Sequence, residues 1–321
     1  MNKLIRTLLL ALAAVACAPA AQAVDYPTRP VTMVVPFPPG GATDIFARLI
    51  SEKLGTLWGK PVIVVYKPGA GTMLGTNYVA KSAPDGYTLG VVVSAHVINP
   101  TLRTKMPYDT VKDLSGVSLA ATSQLVLVAN PSFPPNNLAE LIALAKKEPG
   151  KLTFATSGIG TAMHLTGEMI KRQAGIDMLH VPYNGGAPAY VEVMAGRVPM
   201  LFDTLFAALP YIKSGKLKAL AVSGAQRDPI APNIPTIAET LPGIETRSII
   251  GIVVPHATPR DVVEKISADL AKVLQMPDLR ARMSEIGMTP VGTTPEQFDA
   301  IIRSEIVKWG KVVKSSGARV D

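Results

Sequence analysis

From residue 31 onward, short β-branched apolar runs alternate with amphipathic segments. Val31–Pro36, Val62–Tyr66 and Leu89–Ser94 are continuous apolar runs, which predicts strands buried on both faces. Between them, Phe46–Leu57 and Leu74–Ala80 carry apolar residues at helical spacing. A second series follows. Strands are predicted over Leu125–Ala129, Leu152–Thr156, Met178–Val181, Val198–Phe202 and Ala219–Val222, and helices over Leu138–Lys147, His164–Ala174 and Ala189–Ala195. Ile249–Val254 is a further apolar strand. This alternation implies an α/β fold of mainly parallel sheets flanked by helices.

Two series imply two lobes. Crossover strands near Val117–Val128 and Ile244–Val254 carry the chain out of the first lobe and back. Residues 24–122 with 248–321 then form lobe 1, and 123–247 form lobe 2. Two crossings make a hinge, and ligands of open α/β sheets bind outside the carboxyl ends of the strands. The tail reads as three helices. Thr258-Pro259 caps Arg260–Leu274, Pro277–Ile286 is shorter, and Thr294-Pro295-Glu296-Gln297 is a capping box for Glu296–Lys314. Asn137 with Glu140 does the same for an internal helix, and the proline-rich Asp228–Pro242 reads as a long loop.

One turn recurs: an apolar run ends in a glycine-rich corner that opens a helix. The corners are Pro36–Asp44, Lys67–Thr72, Thr156–Thr161 and Pro182–Ala187. A helix start exposes backbone N–H groups, which with the helix dipole attract anions, and glycine allows close approach. Several such corners facing one cleft would hold a carboxylate without a metal or a catalytic side chain.

The N-terminus reads as a secretory signal. Lys3 and Arg6 precede the apolar stretch Leu8–Cys17, and Ala21-Gln22-Ala23 supplies a cleavage site before Val24. The stretch is too short for a membrane span. Cys17, the chain's one cysteine, offers a lipoprotein alternative, but Ala14 stands where a bulky aliphatic residue is usual. Cleavage after Ala23 leaves no cysteine and no disulfide, so stability must come from packing. Net charge is +8 over the chain, falling to +6 once Lys3 and Arg6 leave. The basic residues are scattered, which argues against nucleic acid as a partner.

Chemistry is sparse. The four histidines show no paired spacing, so no metal and no cofactor is expected. The phosphate-loop, nucleophile-elbow and H-E-x-x-H patterns are all absent, and Leu74 stands where a dinucleotide fingerprint needs glycine. An enzyme is not expected.

Tyr26-Pro27-Thr28-Arg29-Pro30-Val31, Val35–Asp44, Lys67–Gly71 with Gly75, and Ala83-Pro84-Asp85-Gly86-Tyr87-Thr88-Leu89 come in order along the chain. Ser157–Thr161 with His164 and Glu168, Val181-Pro182-Tyr183 with Gly186, and Phe202-Asp203 follow. In this order they resemble the Bug family of periplasmic solute-binding proteins, the TctC-like receptors of tripartite tricarboxylate transporters. The resemblance spans nearly all of the chain after the signal. It implies a two-lobed periplasmic-binding-protein (Venus flytrap) fold that closes on a small carboxylate: an amino-acid, di- or tricarboxylic, or aromatic acid.

Carried onto this chain, the resemblance places one ligand carboxylate between two loops. The first comprises Phe37, Pro39, Gly40, Gly41, Ala42, Thr43 and Asp44. The second comprises Ser157, Gly158, Gly160 and Thr161, with His164. It also marks Asp203 as a family hallmark near the cleft. From the residues themselves, Asp44 is an orienting group, since like charges repel. His164, near a helix start, is a neutral donor or a core histidine. Ser94 and His96 end a strand at the cleft edge, and His180 and His256 are structural. Asp203 binds a donor group of the ligand or caps the helix Thr204–Tyr211, and Thr204 is a second candidate. Phe37 and Tyr183 are apolar walls, unless Phe37 packs beneath its loop. Gly71 and Gly186 complete the candidate set. The expected partners are the ligand and large and small TctA/TctB-like membrane subunits, with the receptor a periplasmic monomer. A sensor-kinase co-receptor and a hydrolase of an acid ester are the alternatives.

Overall fold

The computed structural model describes residues 25–318 and Val320. The expected signal segment, its expected cleavage site and Cys17 lie outside the described residues. The first elements are β1 (Val31–Val35), α1 (Ala42–Trp58), β2 (Val62–Tyr66), α2 (Met73–Ala80), β3 (Thr88–Val93) and α3 (Ala95–Leu102). β1 lies between β2 and β3 and runs parallel to both, and Val31, Met33, Val34 and Val35 are buried. β2 departs from expectation. It is the sheet's edge strand, and Ile63 is 51% exposed. An apolar run alone does not distinguish an edge strand from a central one.

β4 (Leu114–Ala129) is a long crossing strand. Its first part pairs antiparallel with β9 (Arg247–Pro255), from Leu114↔Pro255 to Gln124↔Arg247. Its second part pairs with β7 (Met200–Thr204) and β8 (Lys218–Val222). Between β4 and β7 lie α4 (Leu138–Lys147), β5 (Leu152–Thr156), α5 (Ala162–Ala174), β6 (Met178–Pro182) and α6 (Gly186–Met194). The strand order is β2-β1-β3-β9-β4-β7-β5-β6, with β5 parallel to both neighbours.

This pairing fixes where a ligand can sit. β3 is antiparallel to β9, and β9 to β4, so β1, β2 and β3 run with β4 toward the second lobe. β7 is antiparallel to β4, so β5, β6 and β7 run back toward the first. The two sets of carboxyl ends therefore face each other. Val93 is level with Ile250 and so with Ala121, whereas Thr204 is level with Leu125. Along β4 the two rows are thus about 13 Å apart, at ~3.3 Å per residue.

In the first lobe, Phe46, Ile50 and Leu54 of α1 pack with Met33 and with Ile266, Leu270 and Val273 of α9 (Arg260–Leu274). In the second, Leu127, Phe154, Phe202 and Leu220 form the core. The tail returns through α10 (Pro277–Glu285), β10 (Thr289–Pro290) and α11 (Pro295–Ser316). β10 pairs with β4 at Thr289↔Thr122, a bridge too short to leave a sequence signal.

The Thr294/Gln297 capping box and the Asn137 cap form as expected. Thr258 does not cap α9. Its hydroxyl donates to the Pro255 carbonyl, and Pro259 takes the cap position. The long loop 228–242 contains α8 (Ile237–Thr240), opened by a Thr236/Glu239 capping box, and α7 (Leu205–Lys213) follows β7. Asp203 lies within β7 rather than after it.

Candidate functional site

The corner after β1 is the most open. Gly41 is the N-cap of α1 without a side-chain cap, so the first-turn N–H groups of α1 have no partner inside the helix. Pro38 to Gly41 are exposed, and a Cβ on Gly40 or Gly41 would meet nothing within 4 Å. Asp44 is buried at 4% exposure. Its Oδ2 accepts from the Gly40 N–H at 2.8 Å, and its Oδ1 accepts from Arg48 Nε at 2.8 Å and Tyr66 OH at 2.6 Å. Burial pushes this carboxyl up, but the hydrogen bonds from Tyr66, Gly40 and Arg48 outweigh it and hold the group below its ordinary range. Asp44 pins the loop and leaves the helix start free. Thr43 is buried, and Phe37 packs against the first-lobe core, the second of its two readings. Ala42 is the first residue of α1.

The corner after β2 is strained. Ala70 and Thr72 hold φ values of +49° and +79°, each costing roughly 1–2 kcal/mol for a residue with a Cβ. α3 braces it. Asn99 Nδ2 donates to the Gly71 carbonyl at 3.0 Å, and Arg103 Nε donates to Asn99 Oδ1 at 3.3 Å. Arg103 Nη2 lies 2.7 Å from where a Cβ of Gly71 would stand. Arg103, the C-cap of α3, is not among the sequence candidates.

His96 and Ser94 are placed differently from the expectation. His96 sits inside α3 at 1% exposure, and both ring nitrogens are enclosed without a partner. Burial pushes its pKa down to about 4. It reaches a ligand only if α3 moves. Ser94 Oγ accepts from the Ile249 N–H at 3.2 Å and ties β3 to the returning strand β9.

In the second lobe, the loop 157–161 uses most of its polar groups internally. Thr161 caps α5, accepting from the His164 N–H at 3.3 Å and donating to the Gly158 carbonyl at 2.9 Å. The Gly160 N–H donates to His164 Nδ1 at 3.2 Å. His164 therefore accepts at Nδ1 and carries its proton on Nε2. Burial, with Lys171 nearby, pushes it down to about 4, so it is neutral and supports the loop. Its ring stacks on His180 at 4.1 Å. His180 is pushed to about 3 by burial, His164 and Lys171, and its Nε2 meets Thr156 Oγ1 at 2.7 Å. Ser157 Oγ has only a long contact, 3.9 Å, to Met163 Sδ.

The corner after β6 also opens a helix on glycine, but its Gly185 N–H already donates to the Ser157 and Tyr183 carbonyls at 3.1 and 3.0 Å. Gly185 is the N-cap of α6 without a side-chain cap, and a Cβ there would meet nothing within 4 Å. Tyr183 is half-buried against the second-lobe core. Gly186 is required by a close approach: its Cβ would stand 2.6 Å from Asp203 Oδ2. Asp203 is 6% exposed, and its Oδ1 accepts from the Thr204 N–H at 2.7 Å. Burial raises its pKa to about 6 against the opposing hydrogen bonds. The buried Tyr190 hydroxyl is near enough to couple electrostatically with Asp203 but makes no aligned hydrogen bond. Thr204 caps α7 through the Ala207 N–H, so Thr204 and not Asp203 is the helix cap.

The lobes touch beside these corners. Val97, Ile98 and Leu102 of α3 share one apolar cluster with Ala162 and Leu165 of α5, and a Cβ on Gly160 would overlap Leu102 Cδ2. Grooves of ≈ 690 Å³, at the amino end of β3, and ≈ 420 Å³, beside α9, contain none of the candidate residues. Among the described residues no group of His, Cys, Asp or Glu is placed to hold a metal ion.

Two α/β lobes joined by crossing strands, with glycine corners at facing carboxyl ends, make the architecture of a two-lobed binding protein. Residues 46–318 match the model of the tripartite tricarboxylate transporter family receptor, TctC. The chain is 37% identical over 307 residues to a UPF0065 protein of the tcbD-tcbE intergenic region of Pseudomonas sp., covering 95% of this chain and 91% of that one. It is 34% identical to BugT of Bordetella pertussis, covering 100% and 99%. Among solved structures it is similar to R. palustris Rpa4515 with adipate, with TM-score 0.88, 34% identity, and coverage of 91% and 98%. It is also similar to MatC from Rhodopseudomonas palustris with bound malate, with TM-score 0.82, 32% identity, and coverage of 90% and 100%. The chain belongs to the Bug family of TctC-like periplasmic solute-binding receptors. Among the described residues no helix is long and apolar enough to cross a membrane.

Proposed function

We propose that this receptor captures a small carboxylate between its lobes and delivers it to a secondary transporter with large and small TctA/TctB-like membrane subunits. The observation that carries the reading is the uncapped glycine start of α1, open to the cleft and pinned from behind by Asp44. The backbone N–H groups of Gly41, Ala42 and Thr43 hold the acid, as helix starts hold anions. Gly185 and Gly186 approach from the other lobe, with Ser157 and Asp203 beside them. Lobe 1 comprises residues 24–122 and 248–321, lobe 2 comprises 123–247, and β4 and β9 are the hinge. Export follows cleavage after Ala23, and the receptor acts as a monomer without chemistry of its own. Adipate and malate in two similar proteins support an acid ligand.

A thermal-shift panel of small carboxylates, each paired with its primary amide, tests this. A ligand at ~100 Kd adds ~2.7 kcal/mol of stability, a shift of several degrees. Acids that shift the midpoint while their amides do not are the expected result. Equal shifts by acid and amide overturn the anion corner, and the absence of any shift by a carboxylate overturns the ligand class.

A further inference from the structure

The corner after β2 is covered by a cation. The Arg103 guanidinium lies over Gly71, close enough that any side chain at Gly71 would displace it. Its position is set by a relay: Arg103 Nε to Asn99 Oδ1, and Asn99 Nδ2 to the Gly71 carbonyl. Among the described residues no carboxylate pairs with Arg103. A guanidinium carries several N–H donors in a rigid fork suited to a carboxylate, and here Nε alone is engaged by a side chain. Arg103 directly follows Leu102, the residue that meets Gly160 of the second lobe. The guanidinium thus stands at the carboxyl end of β2, next to the place where the lobes touch, half-buried and, among the described residues, without a counter-ion.

We propose that Arg103 is a specificity-determining residue that pairs with a second acidic group of the ligand, so that the receptor selects diacids over monoacids. This rests on the carboxylate reading above: the start of α1 holds one end and Arg103 reads the other. An N–H relay fixes its geometry, so little side-chain entropy is lost on binding. Asn99 is the positioning residue, because it orients the guanidinium without reaching the ligand.

The test is isothermal titration of the full chain with succinate, glutarate and adipate, and with butyrate, valerate and hexanoate as matched monoacids. The proteins are the wild type, Arg103→Gln and Arg103→Lys. The expected result is a wild-type preference for one diacid length. Arg103→Gln should weaken that diacid by about tenfold to a hundredfold, the loss of a charge-assisted hydrogen bond. It should leave the matched monoacid within about twofold, and Arg103→Lys should recover part of the loss. Equal weakening of diacid and monoacid would mean that Arg103 only braces the Gly71 corner, and would overturn the proposal. So would a wild type that binds monoacids as tightly as diacids, although the carboxylate reading would then stand. A wild type that binds no carboxylate removes both. The thermal midpoint of each variant without ligand separates a folding defect from a binding one.

Discussion

Replacing Asp203 by Asn should make the protein more stable and bind its ligand less well. In the folded state burial raises the carboxyl from its ordinary value of 3.8 to about 6. The folded protein therefore holds this proton more tightly than the unfolded chain. As pH rises from about 4 through about 6, the folded state loses stability, and above that the whole loss is in force. About two pKa units at ~1.4 kcal/mol each give about 3 kcal/mol at neutral pH. Asn keeps an oxygen to accept from the Thr204 N–H and does not ionise, so it removes most of that loss. Denaturant unfolding at intervals between about pH 4 and pH 8 measures the difference. The two proteins should agree near pH 4 and diverge by up to about 3 kcal/mol above pH 6. Parallel profiles would refute the reasoning, since they would show that the buried carboxyl is not perturbed. Ligand affinity should fall in the same variant, the trade expected where a strained group serves function.

Gly160→Ala puts a side chain on a residue with φ of +76° and against Leu102. It should cost roughly 1–2 kcal/mol and hold α3 away from α5, seen as weaker ligand binding and a larger scattering radius with ligand bound. His96, His164 and His180 are all held neutral, with pKa values pushed to about 4, 4 and 3. The unfolded chain protonates its histidines first, so stability should fall as pH drops from about 6.5 toward 4, by up to about 3 kcal/mol for each group. His164→Gln should flatten that fall in acid denaturation curves, unless burial there is not what sets the pKa. Asn137→Ala removes the cap of α4 and should cost about 1 kcal/mol while leaving ligand affinity unchanged, a control for stability loss distant from the cleft.

The strands and most helices were legible because periodicity and β-branched runs are local signals. The caps at Asn137 and Thr294 were legible for the same reason, as each lies within one turn of its partner. Long-range placement was not. Nothing in Val62–Tyr66 marks it as an edge, and nothing around Thr258 shows that the Pro255 carbonyl takes its hydroxyl. In the candidate site, sequence located the corners but not the use of their polar groups. Thr161, His164 and Thr204 turn inward to cap helices and brace loops, and Ser94 ties two strands. His96 is expected at a strand end because the apolar run Leu89–Ser94 leads into it, yet it lies inside α3. Arg103, at the end of the same helix, carries no local signal of its place over Gly71. Gly186 is a binding candidate on sequence, but what its lack of a side chain does, making room for the Asp203 carboxylate, is a long-range fact.

The central claim is that backbone N–H groups at the start of α1 hold the acid. Amide hydrogen exchange, read residue by residue with and without the best acid from the panel, tests it most directly. Slower exchange at Gly41, Ala42 and Thr43 on adding the acid, and at Gly186 as the lobes close, is the predicted result. An acid that binds tightly while those amides exchange at their free rate would contradict the claim and place the ligand elsewhere in the cleft.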